Sequence, residues 1–178
     1  MKPITDPAKV SLYVGLADEM LLSKGSYMRD FDPAWLAKRG WQVVPVKTER
    51  SHLSDEEIGR VIPALNKLGH LECLAVATEE LHPRPACYQI ELSRQGILDY
   101  NAECCLLGYM LMDEARTWAI SGYGFYRLFA GTTEMLEAFL GTTIPVARKA
   151  FHEFAQSLDS PGSPDKYYLE VSTRYQLS

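Results

Sequence analysis

The sequence is short of several things, and each shortage closes off a class of protein. No stretch approaches the roughly 20 apolar residues that span a bilayer. The opening residues, Met1-Lys2-Pro3-Ile4-Thr5-Asp6-Pro7, lack the apolar run of a secretory signal. A cytoplasmic chain with no membrane partner is therefore expected. Cysteine is scarce, with Cys73, Cys87, Cys104 and Cys105 the four among 178 residues. A chain of this length can bury a core without disulfides, and these cysteines sit in apolar runs, so reduced, buried thiols are expected. Zinc sites want cysteine pairs two to four residues apart, and the adjacent Cys104-Cys105 pair does not supply that spacing. No metal and no cofactor is expected.

Catalytic signatures are equally thin. The four histidines, His52, His70, His82 and His152, stand neither at i, i+4 from one another nor at ligand spacing from a cysteine. Gly122-Tyr123-Gly124 is flanked by two strand-like runs, whereas a phosphate loop needs a strand before it and a helix after it. Trp118-Ala119-Ile120-Ser121-Gly122 lacks the Gly-x-Ser-x-Gly of a nucleophile elbow. The chain is not expected to be an enzyme.

What is present is a globular composition, 47% hydrophobic and 11% aromatic, sized for one domain over residues 1–178. The net charge of −5 is unevenly spread: residues 49–114 carry 12 acidic and 5 basic side chains, while the remainder is slightly basic. An acidic middle disfavours direct nucleic-acid binding, because phosphate contacts need Lys and Arg. It leaves a basic protein partner open.

Asp6-Pro7 starts a helix, with Val10, Tyr13, Val14, Ala17, Met20 and Leu21 on one stripe and Gly25 as its stop. Asp32-Pro33 opens a second that ends near Gly40. Residues 41–46 read as a strand, which Pro45 places at an edge or at its end, because proline cannot donate to a ladder. Ser54-Asp55-Glu56-Glu57 is a capping box. The stripe that follows it runs to Gly69, with a kink or break expected at Pro63. Strands are expected over residues 72–78, 86–92 and 104–112, the last an apolar run whose periodicity also fits a helix, with a short helix at 93–101. A hairpin is expected from 116–121 and 125–130. Two more helices follow, separated by Gly141, and residues 167–172 are expected to add a last strand. Helices, then strands in hairpin-like succession, then helices: the order points to an α+β fold with a central, mainly antiparallel sheet.

Several runs between Cys73 and Leu158 carry a resemblance. They are Ala75-Val76-Ala77-Thr78-Glu79, Tyr88-Gln89-Ile90, Ile97-Leu98-Asp99-Tyr100-Asn101, Trp118-Ala119-Ile120, Tyr126-Arg127-Leu128-Phe129-Ala130-Gly131, Phe139-Leu140-Gly141 and Phe151-His152-Glu153-Phe154. In this order they resemble the immunity proteins of bacterial toxin–immunity pairs, including those of contact-dependent growth inhibition. The resemblance covers about half the chain and leaves the first 70 residues unaccounted for. It implies a protein that binds and blocks one cognate toxin and has no catalytic residues of its own. An acidic surface would suit the basic cleft of a nuclease toxin. The expected contact residues are Asp55, Glu56, Glu57, Glu79, Glu80, Asp113 and Glu114. The alternative is a small-molecule-binding domain or enzyme with a pocket between sheet and helices. The sequence leaves the oligomeric state open.

Overall fold

In a computed structural model, the chain is described over residues 1–22, 30–48, 52–78, 84–104, 108–123, 126–158 and 166–176. Among the described residues, seven strands form one sheet: β1 (Lys2–Pro3), β2 (Gln42–Lys47), β3 (Glu72–Ala77), β4 (Cys87–Glu91), β5 (Tyr109–Met112), β6 (Trp118–Tyr123) and β7 (Tyr126–Gly131). Their order is β1-β4-β3-β5-β6-β7-β2, and every neighbouring pair is antiparallel. The α+β class and the antiparallel sheet are as the element order predicts. So is the edge position of β2, where Pro45 lies opposite Leu128.

Side chains alternate across the strands, so the sheet carries a core on each face. On one face Ala75, Ile90, Leu111, Ile120 and Phe129 pack under α3 (Asp55–Lys67), α4 (Arg94–Cys104) and α5 (Thr133–Leu140). On the other, Val43, Val76, Met110, Ala119 and Leu128 pack under α1 (Pro7–Asp18), α2 (Pro33–Arg39), α6 (Ile144–Leu158) and α7 (Lys166–Gln176). Helix α6 wraps the β2 edge: Ile144 joins the first core, while Phe151 and Ala155 join the second. Arg148 donates to the Val43 carbonyl at 3.1 Å, closing that edge against pairing with another chain.

The elements depart from the sequence reading in five places. Helix α1 stops at Asp18, and Gly25 lies outside the described residues. Helix α3 runs unbroken through Pro63. Pro63 and Gly59, the residue whose carbonyl the proline ring would crowd, are both exposed. Cys104 ends α4, and only Tyr109–Met112 of the expected 104–112 run is strand, with residues 105–107 outside the described set. Residues 167–172 belong to a helix. Tyr168, Val171, Ser172 and Tyr175 face inward at helical spacing, and this stripe outweighs the alternation of Tyr167, Leu169 and Val171. The two-residue β1 has no forerunner in the sequence reading, and the turn between β6 and β7 lies outside the described residues.

Candidate protein-binding surface

The N-terminal turn of α3 is the most completely built feature of the acidic middle. Ser54 caps it: its hydroxyl accepts from the Glu57 amide at 3.2 Å, and the Glu57 carboxylate accepts from the Ser54 amide at 2.7 Å. The chain entering this turn is clamped from α4. Asn101 accepts from the Leu53 amide at 3.1 Å and donates to the Leu53 carbonyl at 2.8 Å.

Glu57 then reaches inward. Its second oxygen takes the Arg127 guanidinium from β7, and the two side chains are 9% and 4% exposed. A carboxylate and a guanidinium taken out of water persist only when each finds the other and further hydrogen bonds fill the remaining positions. Glu57 meets both conditions through Arg127 and the Ser54 amide. It is thus a tether between helix and sheet, with little surface to offer a partner.

Asp55 and Glu56 stand outside this tether, with side chains 73% and 81% exposed. Asp55 accepts from Arg94 of α4 at 2.6 Å, and Glu56 accepts from Arg60 one turn along. Arg60 also donates through Nε to the Phe139 carbonyl at the end of α5, at 3.1 Å. Gly141 makes that approach possible. It has φ +66°, and a Cβ built on it would come within 2.8 Å of the Arg60 side chain. Exposed ion pairs of this kind contribute little to stability, so both acids can exchange their partners cheaply.

Two shallow hollows flank the ridge that carries Asp55 and Glu56. One, of about 540 Å³, has Leu53, Leu98 and Ala102 as its apolar lining and His52, Ser54, Asp55 and Asn101 around them. The other, of about 490 Å³, lies between Val46-Lys47-Thr48 and the Ser54, Glu56, Glu57 and Arg60 side. An apolar patch ringed by polar and charged groups is the usual anatomy of a protein interface.

The remaining expected contact residues do not join this ridge. Glu79 and Glu80 lie outside the described residues. Asp113 is buried. It accepts from the Thr117 amide at 2.6 Å, the Thr117 hydroxyl at 2.9 Å and the Trp118 amide at 3.3 Å, and so shapes the β5–β6 turn. Trp118 pairs with Gly131, four residues along β7 from Arg127. At about 3.3 Å per residue, Asp113 and Glu57 therefore attach roughly 13 Å apart, toward opposite ends of the sheet. Glu114 is exposed and accepts from the Tyr13 hydroxyl of α1 at 3.4 Å, on the sheet's other face.

Residues that local sequence did not single out hold the ridge in place: Arg60, Arg94, Asn101 and Arg127. Arg127 did leave a signal. A lone cation inside Tyr126-Arg127-Leu128-Phe129-Ala130 must bury a charge, and so must find a carboxylate.

Elsewhere, Cys73, Cys87 and Cys104 are free and buried. Burial pushes the Cys87 thiol up to about 11 and the Cys104 thiol up to about 12, with Glu103 adding to the latter, and Cys73 is raised further by the same cause. His152 Nδ1 lies 3.0 Å from the Ser172 hydroxyl. His70 sits edge-on to Trp118. Among the described residues, no group of three or more His, Cys, Asp and Glu could hold a metal ion. Among them, too, no helix is long and apolar enough to cross a membrane. A groove of about 620 Å³ between α1 and the β1–β4–β3 end of the sheet gathers Lys2, Lys9, Tyr13, Glu72, Gln89 and Glu114. Burial, and then Glu114, raise the Tyr13 hydroxyl above its ordinary value. Comparison with family models, with curated proteins and with solved structures finds no match to this chain.

Proposed function

We propose that this chain is a stoichiometric protein-binding protein of the toxin–immunity kind, which neutralises a cognate bacterial toxin by covering a basic surface on it. The observation that supports the reading is the α3 ridge. Asp55 and Glu56 project from a helix end that is fixed from beneath by Glu57–Arg127 and from the side by Asn101, between two hollows. A preorganised surface loses little entropy on binding. Exposed carboxylates steer a basic partner to it, and the Leu53–Leu98 hollow offers an apolar side chain of that partner a place to anchor. A nuclease toxin, whose cleft must attract phosphate, has the matching charge.

The test is coexpression with the product of the adjacent reading frame. The reading requires a complex that survives purification, loss of the toxin's activity in that complex, and weaker binding when Asp55 and Glu56 are reversed to Lys. Failure to bind or inhibit that product would contradict it.

A second reading, a small-molecule site, rests on the groove beside Tyr13, whose volume falls in the range of ligand pockets. Turnover or saturable binding of a small substrate, lost in Tyr13→Phe, would favour it.

A further inference from the structure

At the other end of the sheet, on the opposite face, the surface has a different chemistry. Trp35 of α2 is half-exposed and packs edge-on against the buried Trp41, with ring centroids 5.0 Å apart. Two guanidiniums lie over its indole: that of Arg39 at 4.8 Å and that of Arg116, from the β5–β6 turn, at 5.9 Å. Arg39 Nη1 also donates to the Arg116 carbonyl at 3.3 Å. Arg116 pairs with Glu19 just past α1. Lys38 and Arg39 form the exposed last turn of α2.

Arg116 has φ 55°, in the left-handed region where glycine is the usual occupant. An arginine held there adds local strain, and it gives in return a second guanidinium over Trp35.

We propose that this cluster is a second interaction surface, one that docks a carboxylate-rich segment of a partner protein. The charge is complementary, with Lys38 and Arg39 side by side on an exposed turn. The Arg39 guanidinium is fixed over Trp35 and bonded through Nη1 to the Arg116 carbonyl, which leaves its other N–H groups positioned for a carboxylate. Trp and Arg are also the side chains that most often carry binding energy at interfaces. A single-stranded nucleic acid is the less suitable occupant, because two guanidiniums and Trp41 already crowd the indole on which a base would stack.

The experiment uses the full chain and fluorescein-labelled octaglutamate, read by anisotropy at low and at physiological salt. Binding should weaken with salt and fall at least tenfold in Lys38→Ala/Arg39→Ala. Arg39→Lys should lose part of it, by keeping the charge and losing the fork. Asp55→Asn/Glu56→Gln should leave it unchanged, which separates this surface from the α3 ridge. Circular dichroism should show each variant folded, since all four positions are on exposed helix turns. No binding at low salt would overturn the proposal. So would binding indifferent to Lys38 and Arg39, or tighter capture of labelled octathymidylate than of octaglutamate.

Discussion

The α3 ridge and the Trp35–Arg39–Arg116 cluster both put charged side chains on the surface, yet they divide labour differently. At the ridge, the charges that hold the structure lie underneath: Glu57 and Arg127 are buried, while Asp55 and Glu56 are exposed above them. In the cluster, a partly exposed cation is itself the fastener. Arg116 bridges the β5–β6 turn, Trp35 and Glu19 from a left-handed backbone conformation. Surface charge relieved of structural duty can be altered freely. Surface charge that carries it cannot.

The sharpest way to break this contrast is beneath the ridge. Arg127→Ala leaves Glu57 buried without its cation and should cost about 3–5 kcal/mol, read as a lowered midpoint in urea denaturation. Glu57→Ala should cost a similar amount. Glu56→Ala, one residue away, should stay within about 0.5 kcal/mol. Equal effects at positions 56 and 57 would erase the distinction.

In the cluster, Arg116→Ala keeps the backbone strain and loses the guanidinium contacts, for an expected loss of about 1–2 kcal/mol. Arg116→Gly removes the strain as well and should recover roughly 1 kcal/mol relative to alanine. Thermal unfolding of the two variants side by side reads the difference. A glycine variant no more stable than the alanine one would mean that the turn is unstrained.

The interior beneath both surfaces gives a pH test. The Cys87 and Cys104 thiols are raised from about 9 to about 11 and about 12, mainly by burial. Well below pH 9 they are neutral whether the chain is folded or not, and they favour neither state. Above it the unfolded chain releases protons that the folded one keeps, so stability should fall as pH rises from about 9 toward 11–12. At pH 8, Cys87 and Cys104 should react with a thiol reagent only after denaturant is added, and immediate labelling of either one in the native protein, located by peptide mapping, would contradict the burial.

Much of this architecture was readable from local pattern. Ser54 followed by Glu57 announced the capped start of α3, Pro45 announced an edge strand, and the stripe of Tyr13, Ala17, Met20 and Leu21 found its core. What local pattern lacked was depth. Glu56 and Glu57 are the same residue in adjacent positions, and the one that faces inward is decided by Arg127, 70 residues away in sequence. Asp113 and Glu114 divide in the same way, because Asp113 turns toward the amides of its own turn. Helix α7 departs from the strand that alternation predicts for a related reason. Tyr167, Leu169 and Val171 satisfy a strand's alternation as well as Tyr168, Val171, Ser172 and Tyr175 satisfy a helix's spacing, and packing against β2 and α6 selects the second.

Neutralising the two ridge acids has a small expected effect on the fold and tests the account most directly. Asp55→Asn/Glu56→Gln should unfold within about 1 kcal/mol of the parent, the loss coming from the helix dipole and two exposed ion pairs. Its affinity for the protein encoded beside it should drop at least tenfold, with a flatter dependence on salt than the parent shows. An unchanged affinity and salt dependence in this double variant would contradict the claim that the α3 ridge is the binding surface.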